Sequence, residues 1–520
     1  MHCVYHPSFP APARQGLLVH SKRSDFPTET WREKCGVFGV YAPGEDVSRI
    51  TFYGIYALQH RGQESAGIAT ADGFGIHLHS GMGLVSQVFE ENDLGYLPGH
   101  AAIGHTRYST TGSSRKENAQ PVRVDGAHGP LAMGHNGNLI NAELLRYDLE
   151  EQGHEFTGST DTEVAAKMLA SAPGVDWLER ASNTMKALAG AYCLVALTPD
   201  VLIAMRDPYG VRPLCIGKLN GASASLSTGS GWIVASETCA LDHLGAEFVR
   251  EVEPGEAVVI DERGLHATQA VEKKRDALCV FEYIYFARPD SVIRGKLLHP
   301  MRMNMGRELA LQAPVDADLV IGVPDSATAA AIGYSHEAGI PYAEGLVKNR
   351  YVGRTFIQPD QRMRDQGVYL KFNPMRQVIE GKRLVVVDDS IVRGTTTPKV
   401  VEMLRKAGAK EVHMRICAPP IRHPCHFGID MATQWELIAA KQEIEQIRQH
   451  IGADSLAYLT IEGLMSAVEQ PKDSFCTACF TGEYPMPVQL QMDKLVFERS
   501  GRGGKRVPVG VAWSWEEDRR

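Results

Sequence analysis

Two adjacent carboxylates followed by a turn rich in glycine and threonine have the clearest chemical potential in this sequence. The stretch Leu384–Thr397 reads LVVVDDSIVRGTTT, so the pair Asp388–Asp389 precedes the turn directly. Carboxylates can hold sugar hydroxyls or a hydrated Mg²⁺. Backbone amides of a Gly/Thr turn bind phosphate when the turn opens a helix. The combination predicts a site for a sugar phosphate.

The elements on either side of this turn are expected to bring these groups together. Leu384–Val387 is a short apolar run rich in β-branched residues, which is typical of a buried parallel strand. Lys399–Lys406 has the apolar spacing of a helix, and Gly408 is placed to end it. In open α/β sheets, ligands bind at the carboxyl ends of the strands. An ordinary turn with solvated acids is the alternative, and the flanking segments disfavour it.

A second segment of the same kind lies upstream. Asp318–Pro324 predicts another buried strand, Ser326 lies in the turn after it, and Ala327–Tyr334 predicts a helix. Further along, Val347–Pro359 combines cations, glycine and aromatic residues. A charge cluster of this kind is usually a solvated face, so its meaning depends on the other motifs.

Together these segments resemble the type I phosphoribosyltransferases, and Gly322–Thr397 matches the amidophosphoribosyltransferase branch. The resemblance implies a site for phosphoribosyl pyrophosphate with one Mg²⁺ per subunit, near Ser326, Asp388 and Asp389. It also implies that Val347–Pro359 is a mobile loop that closes over the sugar diphosphate and excludes water. The substrate-binding residues that it implies are Lys348, Arg350, Asp388, Asp389, Arg393, Gly394, Thr395 and Thr396.

The first half of the chain contains a different set of motifs. Cys35 opens a strand-like run, and four motifs follow it, namely Gln-His-Arg-Gly-Gln around Arg61, His-Thr-Arg-Tyr around Arg107, His-Asn-Gly-Asn around Asn136 and Ser-Thr-Asp-Thr around Asp161. A lone cysteine before glycine is usually structural, and a lone Arg or Asp is usually a surface ion pair. The five motifs in this order resemble the N-terminal-nucleophile (Ntn) glutamine amidotransferases, over about residues 35–270.

This second resemblance implies a role for each motif. Cys35 would attack the side-chain amide of glutamine with its own α-amine as base, once processing has made it the first residue. Asn136 and Gly137 would form the oxyanion hole. Arg107 would pair with the α-carboxylate of glutamine, Asp161 would hold the α-ammonium group, and Arg61 would belong to the same pocket.

Four cysteines form a possible metal site. Cys476 and Cys479 form a C-x-x-C motif, Cys425 lies between two histidines, and Cys279 begins the second half. By spacing alone, zinc and an iron–sulfur cluster are equally good interpretations, and four unrelated buried thiols are a third. One branch of the resembled family has a cleaved leader and a [4Fe-4S] cluster at matching cysteines. The resemblance therefore implies a structural [4Fe-4S] cluster here.

Composition limits the remaining possibilities. The net charge of −8 argues against broad electrostatic binding to nucleic acid, and no apolar run approaches the length of a membrane span. Ten cysteines in 520 residues favour a reducing cytoplasm over a disulfide scaffold. We expect a leader over residues 1–34, a flexible tail over 486–520 and an amphipathic helix over Glu436–Gln449. A misplaced translational start is an alternative explanation of the leader.

The two resemblances imply one fold and one reaction. The fold is an Ntn-type αββα sandwich over residues 35–270, followed by a phosphoribosyltransferase domain with a parallel sheet over 271–485. Phosphoribosyl pyrophosphate, glutamine and water would give 5-phosphoribosylamine, glutamate and pyrophosphate, in the committing step of purine synthesis. A homotetramer or homodimer inhibited by purine nucleotides is also implied. The alternatives are another Ntn amidotransferase that aminates a sugar phosphate, and a regulator that only senses phosphoribosyl pyrophosphate.

Overall fold

The computed structural model describes residues 35–108, 115–220, 231–349, 371–429, 431 and 433–488. Its strands are β1 (Gly36–Tyr41), β2 (Ser65–Ala71), β3 (Ile76–Met82), β4 (Ala101–Arg107), β5 (Val122–Gly126), β6 (Gly129–Leu139), β7 (Gly190–Leu197), β8 (Leu202–Arg206), β9 (Cys215–Leu219), β10 (Gly231–Ala235), β11 (Glu247–Glu251), β12 (Glu256–Asp261), β13 (Gly264–Gln269), β14 (Leu278–Cys279), β15 (Val292–Ile293), β16 (Lys296–Leu297), β17 (Leu319–Gly322), β18 (Leu346–Lys348), β19 (Phe372–Pro374), β20 (Arg383–Asp388), β21 (Glu411–Ile416), β22 (Ser455–Tyr458) and β23 (Phe475–Cys476).

The helices are named below by their residue ranges. The α-helices are Val47–Ala57, Val85–Val88, Glu91–Gly95, Ala142–Glu151, Asp161–Ser171, Trp177–Ala187, Thr238–His243, Leu298–Gln312, Thr328–Ala338, Arg376–Ile379, Thr396–Lys406, Ile438–Lys441, Ile444–Ile451, Ile461–Val468 and Ala478–Thr481. Short 3₁₀ turns cover Lys116–Asn118, Gln434–Glu436 and Lys472–Ser474, and Glu282–Phe286 is a π-helical turn. None of the helices in these ranges is long and apolar enough to cross a membrane.

The first half consists of two antiparallel sheets that face each other. One has the order β11-β9-β10-β1-β4-β2-β3, and the other has the order β13-β12-β8-β7-β6-β5. Strand alternation in β1 explains the layers: Val37 and Tyr41 join the core between the sheets, whereas Phe38 and Val40 pack under helices on the outer face. A third core lies under the helices outside the second sheet. The four layers are therefore helix, sheet, sheet and helix.

The second half is organised around a parallel sheet with the order β17-β20-β21-β22. Its two faces are covered by two separate cores, one containing residues of helix Leu298–Gln312 and the other residues of helix Thr396–Lys406. Gly322 of β17 is the register partner of Val387 of β20, so the turns after these two strands lie side by side. This is the edge at which the sequence predicts a ligand.

The predicted helix over Glu436–Gln449 is wrong in its boundaries. The structure has a 3₁₀ turn at Gln434–Glu436 and two helices, Ile438–Lys441 and Ile444–Ile451. The chain is extended at Gln442 and Glu443, and the amide of Glu443 donates to the Gln446 side chain at 2.9 Å. This local cap starts a new helix, so the amphipathic spacing is shared by two helices.

The two halves share a core. The hydrophobic cluster on one face of the parallel sheet also includes Ala191 and Val211 from the first half. β14, the first strand of the second half, pairs in parallel with β23, so Cys279 is opposite Cys476. The contact ties the start of the second half to a segment almost 200 residues later in the chain.

Candidate active sites

Cys35 lies at the start of β1 in a closed environment. Its residue is 7% exposed, its thiol donates to the carbonyl of Tyr108 at 3.3 Å, and the amide of Tyr108 donates to Sγ at 3.5 Å. Burial raises the pKa of the Cys35 thiol to about 12, an effect that Arg107 and Arg61 oppose. The group is therefore a thiol at neutral pH and needs a base before it can act as a nucleophile.

Arg61 holds the main chain of Cys35. Its Nε donates to the Cys35 carbonyl at 3.1 Å, and its other nitrogens bind the carboxylates of Glu237 and Glu282. Burial alone would lower the pKa of Arg61, but the two carboxylates outweigh it and raise the pKa. Arg61 is thus a fixed cation beside the predicted nucleophile.

Arg107 is the second buried cation beside Cys35. It is the last residue of β4, opposite Ser65 of β2, and its Nη1 donates to Glu64 at 2.6 Å. Both side chains are almost completely buried. A carboxylate therefore holds the guanidinium that is predicted to receive the α-carboxylate of glutamine.

Asp161 opens a helix whose cap fixes its position. The hydroxyl of Thr160 accepts from the amide of Glu163 at 3.3 Å, which begins the helix Asp161–Ser171. Burial acts to raise the pKa of Asp161, but the nearby His135, together with the backbone amides of Leu139 and Thr162, outweighs it, and the pKa is lowered. The carboxylate therefore stays ionised, and it is close enough to Cys35 to act on the thiol pKa.

Asn136 and Gly137 lie on β6, the strand whose Leu139 amide donates to Asp161. Asn136 is 1% exposed, and its Nδ2 has no hydrogen-bond partner among the described residues. A buried donor without a partner is costly, by about 1–3 kcal/mol, so its retention points to a ligand. Gly137 has φ +153°, and a Cβ there would lie 2.0 Å from the carbonyl oxygen of Ala191. Only glycine fits this close approach.

The acidic pair of the second half lies at the carboxyl end of β20. The hydroxyl of Ser326 donates to Asp389 Oδ2 at 2.5 Å, Ser390 donates to Oδ1, and the Asp389 amide donates to Asp388 Oδ1 at 2.9 Å. Burial and the charge of Asp389 raise the pKa of Asp388 well above its ordinary value. Burial also raises the pKa of Asp389, partly offset by the two serine hydroxyls. A cation would relieve this repulsion.

The turn after the acidic pair leads into the helix Thr396–Lys406, with Thr395 at its cap position. Gly394 has φ +69°, and a Cβ on it would lie 2.3 Å from Ile438 Cδ1. Arg393 Nη2 donates to Glu436 at 2.7 Å, which anchors the start of the turn. A helix start is a favourable place for an anion because of the helix dipole, so the phosphate-binding role of this turn stays a prediction.

The remaining residues predicted to bind the sugar diphosphate are only partly described. Lys348 closes β18 and donates to Asp325 Oδ2 at 2.9 Å, in the turn that also contains Ser326. Arg350, and most of the predicted mobile loop, lie outside the described residues. The structure adds Lys371, whose charge acts on both Asp388 and Asp389.

The four predicted cluster ligands lie near one another and form no disulfide. The thiols of Cys279, Cys476 and Cys425 each raise the pKa of Cys479, after the effect of burial. The amide of Phe427 donates to Cys425 Sγ at 3.4 Å. Within the described ranges, no three His, Cys, Asp or Glu side chains are arranged to hold a metal ion.

Several residues of the first site were not predicted from the sequence. Glu64 lies two residues after Gly62 and Glu282 lies three residues after Cys279, so proximity in the sequence to these predicted site residues was the available signal. Arg212 and Glu237 have no such signal. Their roles depend on contacts between segments that are far apart in the sequence.

Comparisons with known proteins agree with this architecture. A glutamine amidotransferase domain model matches residues 105–243, and a phosphoribosyl transferase domain model matches residues 305–423. The amidophosphoribosyltransferase of Synechocystis sp. is 53% identical over 471 residues, covering 90% of this chain and 94% of that protein. The Bacillus subtilis one is 48% identical over 461 residues, covering 88% and 95%.

Solved structures give the same result. The B. subtilis glutamine phosphoribosylpyrophosphate amidotransferase complexed with ADP and GMP has a TM-score of 0.81 and 47% identity, covering 88% of this chain and 98% of that one. A structure described as the allosteric regulatory enzyme of purine biosynthesis also has a TM-score of 0.81 and 47% identity, over 88% and 97%.

The domain matches and these structures define an Ntn-type glutamine amidotransferase joined to a phosphoribosyltransferase, which confirms the predicted fold class. Each of the two halves has its own candidate site. The chain belongs to the amidophosphoribosyltransferase family, and it is a glutamine-dependent pentosyltransferase. This membership excludes the two alternatives, namely another Ntn amidotransferase that aminates a sugar phosphate and a regulator that only senses phosphoribosyl pyrophosphate.

Proposed function

We propose that glutamine is hydrolysed at Cys35 and that the ammonia released is used at the Asp388–Asp389 site. The observation that supports this most directly is the unpartnered donor of Asn136. The preceding residue, His135, contacts Asp161 at 3.5 Å, and the charge of Asp161 acts on the buried Cys35 thiol. A tetrahedral oxyanion formed by attack of Cys35 on the amide would accept that donor. The buried Asn136 donor therefore has a ligand in the reaction and none in the free site.

The thiol needs a base, because burial raises its pKa to about 12. We propose that residues 1–34 are removed and that the freed α-amine of Cys35 takes the thiol proton. Arg107 would pair with the α-carboxylate of glutamine and Asp161 with its α-ammonium group. The ionised state of Asp161 supports this assignment. Arg61 would keep the Cys35 backbone in place throughout.

Replacing Asn136 by alanine tests the oxyanion site. We expect the glutamine-dependent kcat to fall by about 10²–10³-fold, as for other oxyanion donors, with a much smaller change in KM. Asn183→Ala, on the distant helix Trp177–Ala187, is the control. Steady-state release of glutamate measures both. An unchanged kcat in the Asn136 variant would remove the oxyanion assignment.

At the second site, Asp388 and Asp389 would hold Mg²⁺, with Ser326 beside it. Two adjacent carboxylates with raised pKa values are a donor set that suits a divalent cation. When bound, Mg²⁺ would stabilise the charge of the departing pyrophosphate. The amides at the start of helix Thr396–Lys406 would bind the 5-phosphate, and Lys348 would approach the diphosphate. We expect Arg350, Arg393, Gly394, Thr395 and Thr396 to contribute to the same site.

We also propose that Cys279, Cys425, Cys476 and Cys479 hold a structural [4Fe-4S] cluster. Four neighbouring thiols without disulfides are its usual donor set. The resemblance to the family branch with cysteines at matching positions favours an iron–sulfur cluster over zinc. The absence of electron transfer from the reaction suggests a structural role.

Iron and sulfide analysis of protein purified without air tests this assignment. We expect about four irons and four sulfides per chain, and their loss in Cys425→Ser. The control is Cys215→Ser, which alters a buried thiol in β9 outside the set of four. Stoichiometric zinc, with no iron, would contradict the cluster.

Purine nucleotides are proposed as inhibitors, and the family resemblance suggests a homotetramer or homodimer. The support for regulation is that the 47% identical B. subtilis enzyme was solved with ADP and GMP. Rates measured with and without GMP and ADP test it, and sedimentation measures the oligomeric state. No inhibition by either nucleotide would contradict the regulatory proposal.

A further inference from the structure

Four buried charges join the two halves next to Cys35. Arg61 contacts both Glu237 and Glu282, and Arg212 contacts Glu282 at 3.6 Å. All four side chains are 0% exposed. Two cations and two carboxylates balance, and removing one partner leaves an uncompensated charge. Three of these residues belong to the first half, and Glu282 comes from the second.

The second half fixes the position of Glu282 through its backbone. Glu282 begins the π-helical turn Glu282–Phe286. Arg302, buried on helix Leu298–Gln312, donates to the carbonyls of Tyr283 and Ala287 at 2.8 and 2.6 Å. Backbone amides of Phe281 and Glu282 also donate to the Cys279 thiol. The carboxylate is therefore positioned by the same segment that provides a proposed cluster ligand.

The other end of this network reaches two parts of the glutamine site. Arg61, held by Glu282 at 3.0 and 3.1 Å, donates to the carbonyl of Cys35. Arg212 donates to the carbonyl of Phe427. The next residue, Gly428, packs on Gly137. A Cβ on Gly428 would lie 2.8 Å from the carbonyl carbon and oxygen of Gly137. One carboxylate thus supports both the nucleophile and the residue beside the unpartnered Asn136.

We propose that Glu282 is a positioning residue for glutamine hydrolysis, contributed by the phosphoribosyltransferase half. It orients Arg61 against Cys35 and Arg212 against the segment that supports Gly137. This inference rests on the proposed role of Cys35. Glutamine hydrolysis then depends on a residue that never touches glutamine, whereas the reaction with free ammonia does not.

The test compares glutamine with ammonia as the nitrogen source, using the full processed chain with its iron content measured. Glu282→Gln keeps the size of the side chain and removes its charge. We expect the glutamine-dependent kcat to fall at least about tenfold, because even a small displacement of the nucleophile lowers the rate of attack strongly. Ammonia-dependent pyrophosphate release should stay within about twofold of wild type. Glu256→Gln, which breaks an ion pair with Arg250 far from Cys35, is the matched control.

Glu282→Asp keeps the charge, so its ratio of glutamine to ammonia activity should lie between those of wild type and Glu282→Gln. If Glu282→Gln does not fold, the same ratio in Glu282→Asp decides, and a lowered ratio supports the proposal. A ratio of glutamine to ammonia activity equal to that of wild type overturns it, whether both activities are retained or both fall equally. Glutamine-dependent activity that survives in the Cys35→Ala variant would instead overturn the proposed function.

Discussion

Replacing Cys35 by alanine should abolish glutamine-dependent pyrophosphate release and leave the ammonia-dependent reaction intact. The thiol is the nucleophile in our proposal, so its removal leaves only a background rate, at least about 10³-fold lower. The second site is formed by β17, β20 and the turns after them, whereas Cys35 directly precedes β1, which belongs to a different sheet. Initial rates with each nitrogen source, at saturating phosphoribosyl pyrophosphate and Mg²⁺, give the result.

The matched control is Cys215→Ala, which removes another buried thiol of the same half. Its Sγ donates to the carbonyl of Ala235 at 3.3 Å, so the variant tests for the effect of a small cavity alone. Such a cavity should lower the stability by roughly 1 kcal/mol and leave both reactions close to wild type. Loss of both activities in Cys35→Ala, or of neither, would show that Cys35 is not the glutamine nucleophile.

Asp389→Asn should abolish both reactions, because the two nitrogen sources share the phosphoribosyl site. Asp389 is 5% exposed and accepts from Ser326 and Ser390, so an amide can replace it with little change in volume. The loss of one of two carboxylate ligands weakens the cation site and the pyrophosphate departure that depends on it. We expect a loss of at least about 10²-fold with either nitrogen source.

A control at the opposite end of the same sheet separates the loss of the metal ligand in Asp389→Asn from a general loss of structure. Asp318 precedes β17 and binds Arg383 at 2.7 Å. Asp318→Asn should keep both activities, because an exposed ion pair contributes about 1 kcal/mol or less to stability. Titration with Mg²⁺ should show a raised requirement for the metal in Asp389→Asn. Full activity of that variant at ordinary Mg²⁺ concentrations would contradict the metal assignment.

The sequence predicts the parts of this molecule whose causes are local. The acidic pair follows its strand directly, Ser326 follows the neighbouring strand, and parallel pairing brings them to 2.5 Å. The four-layer first half also follows from the family motifs. These successes depend on strand ends and short turns, which only a few neighbouring residues determine.

The partners of Arg61 could not be predicted in the same way. Glu237 and Glu282 lie 176 and 221 residues away from it. Nothing in the local pattern distinguishes these two glutamates from solvated ones, since their burial is decided by how the halves pack. The break between the helices Ile438–Lys441 and Ile444–Ile451 has a related cause. Apolar spacing continues across it, and the extended backbone at Gln442 is what separates the helices.

The pairing of β14 with β23 has a consequence for the order of events on the ribosome. Leu278 and Cys279 have no strand partner until Phe475 and Cys476 have been synthesised. The sandwich of the first half can form earlier, as domains generally do during synthesis. The thiols of Cys279 and Cys476 therefore meet only after most of the chain has left the exit tunnel. Insertion of the proposed cluster would accordingly be a late step of maturation, after translation of most of the chain.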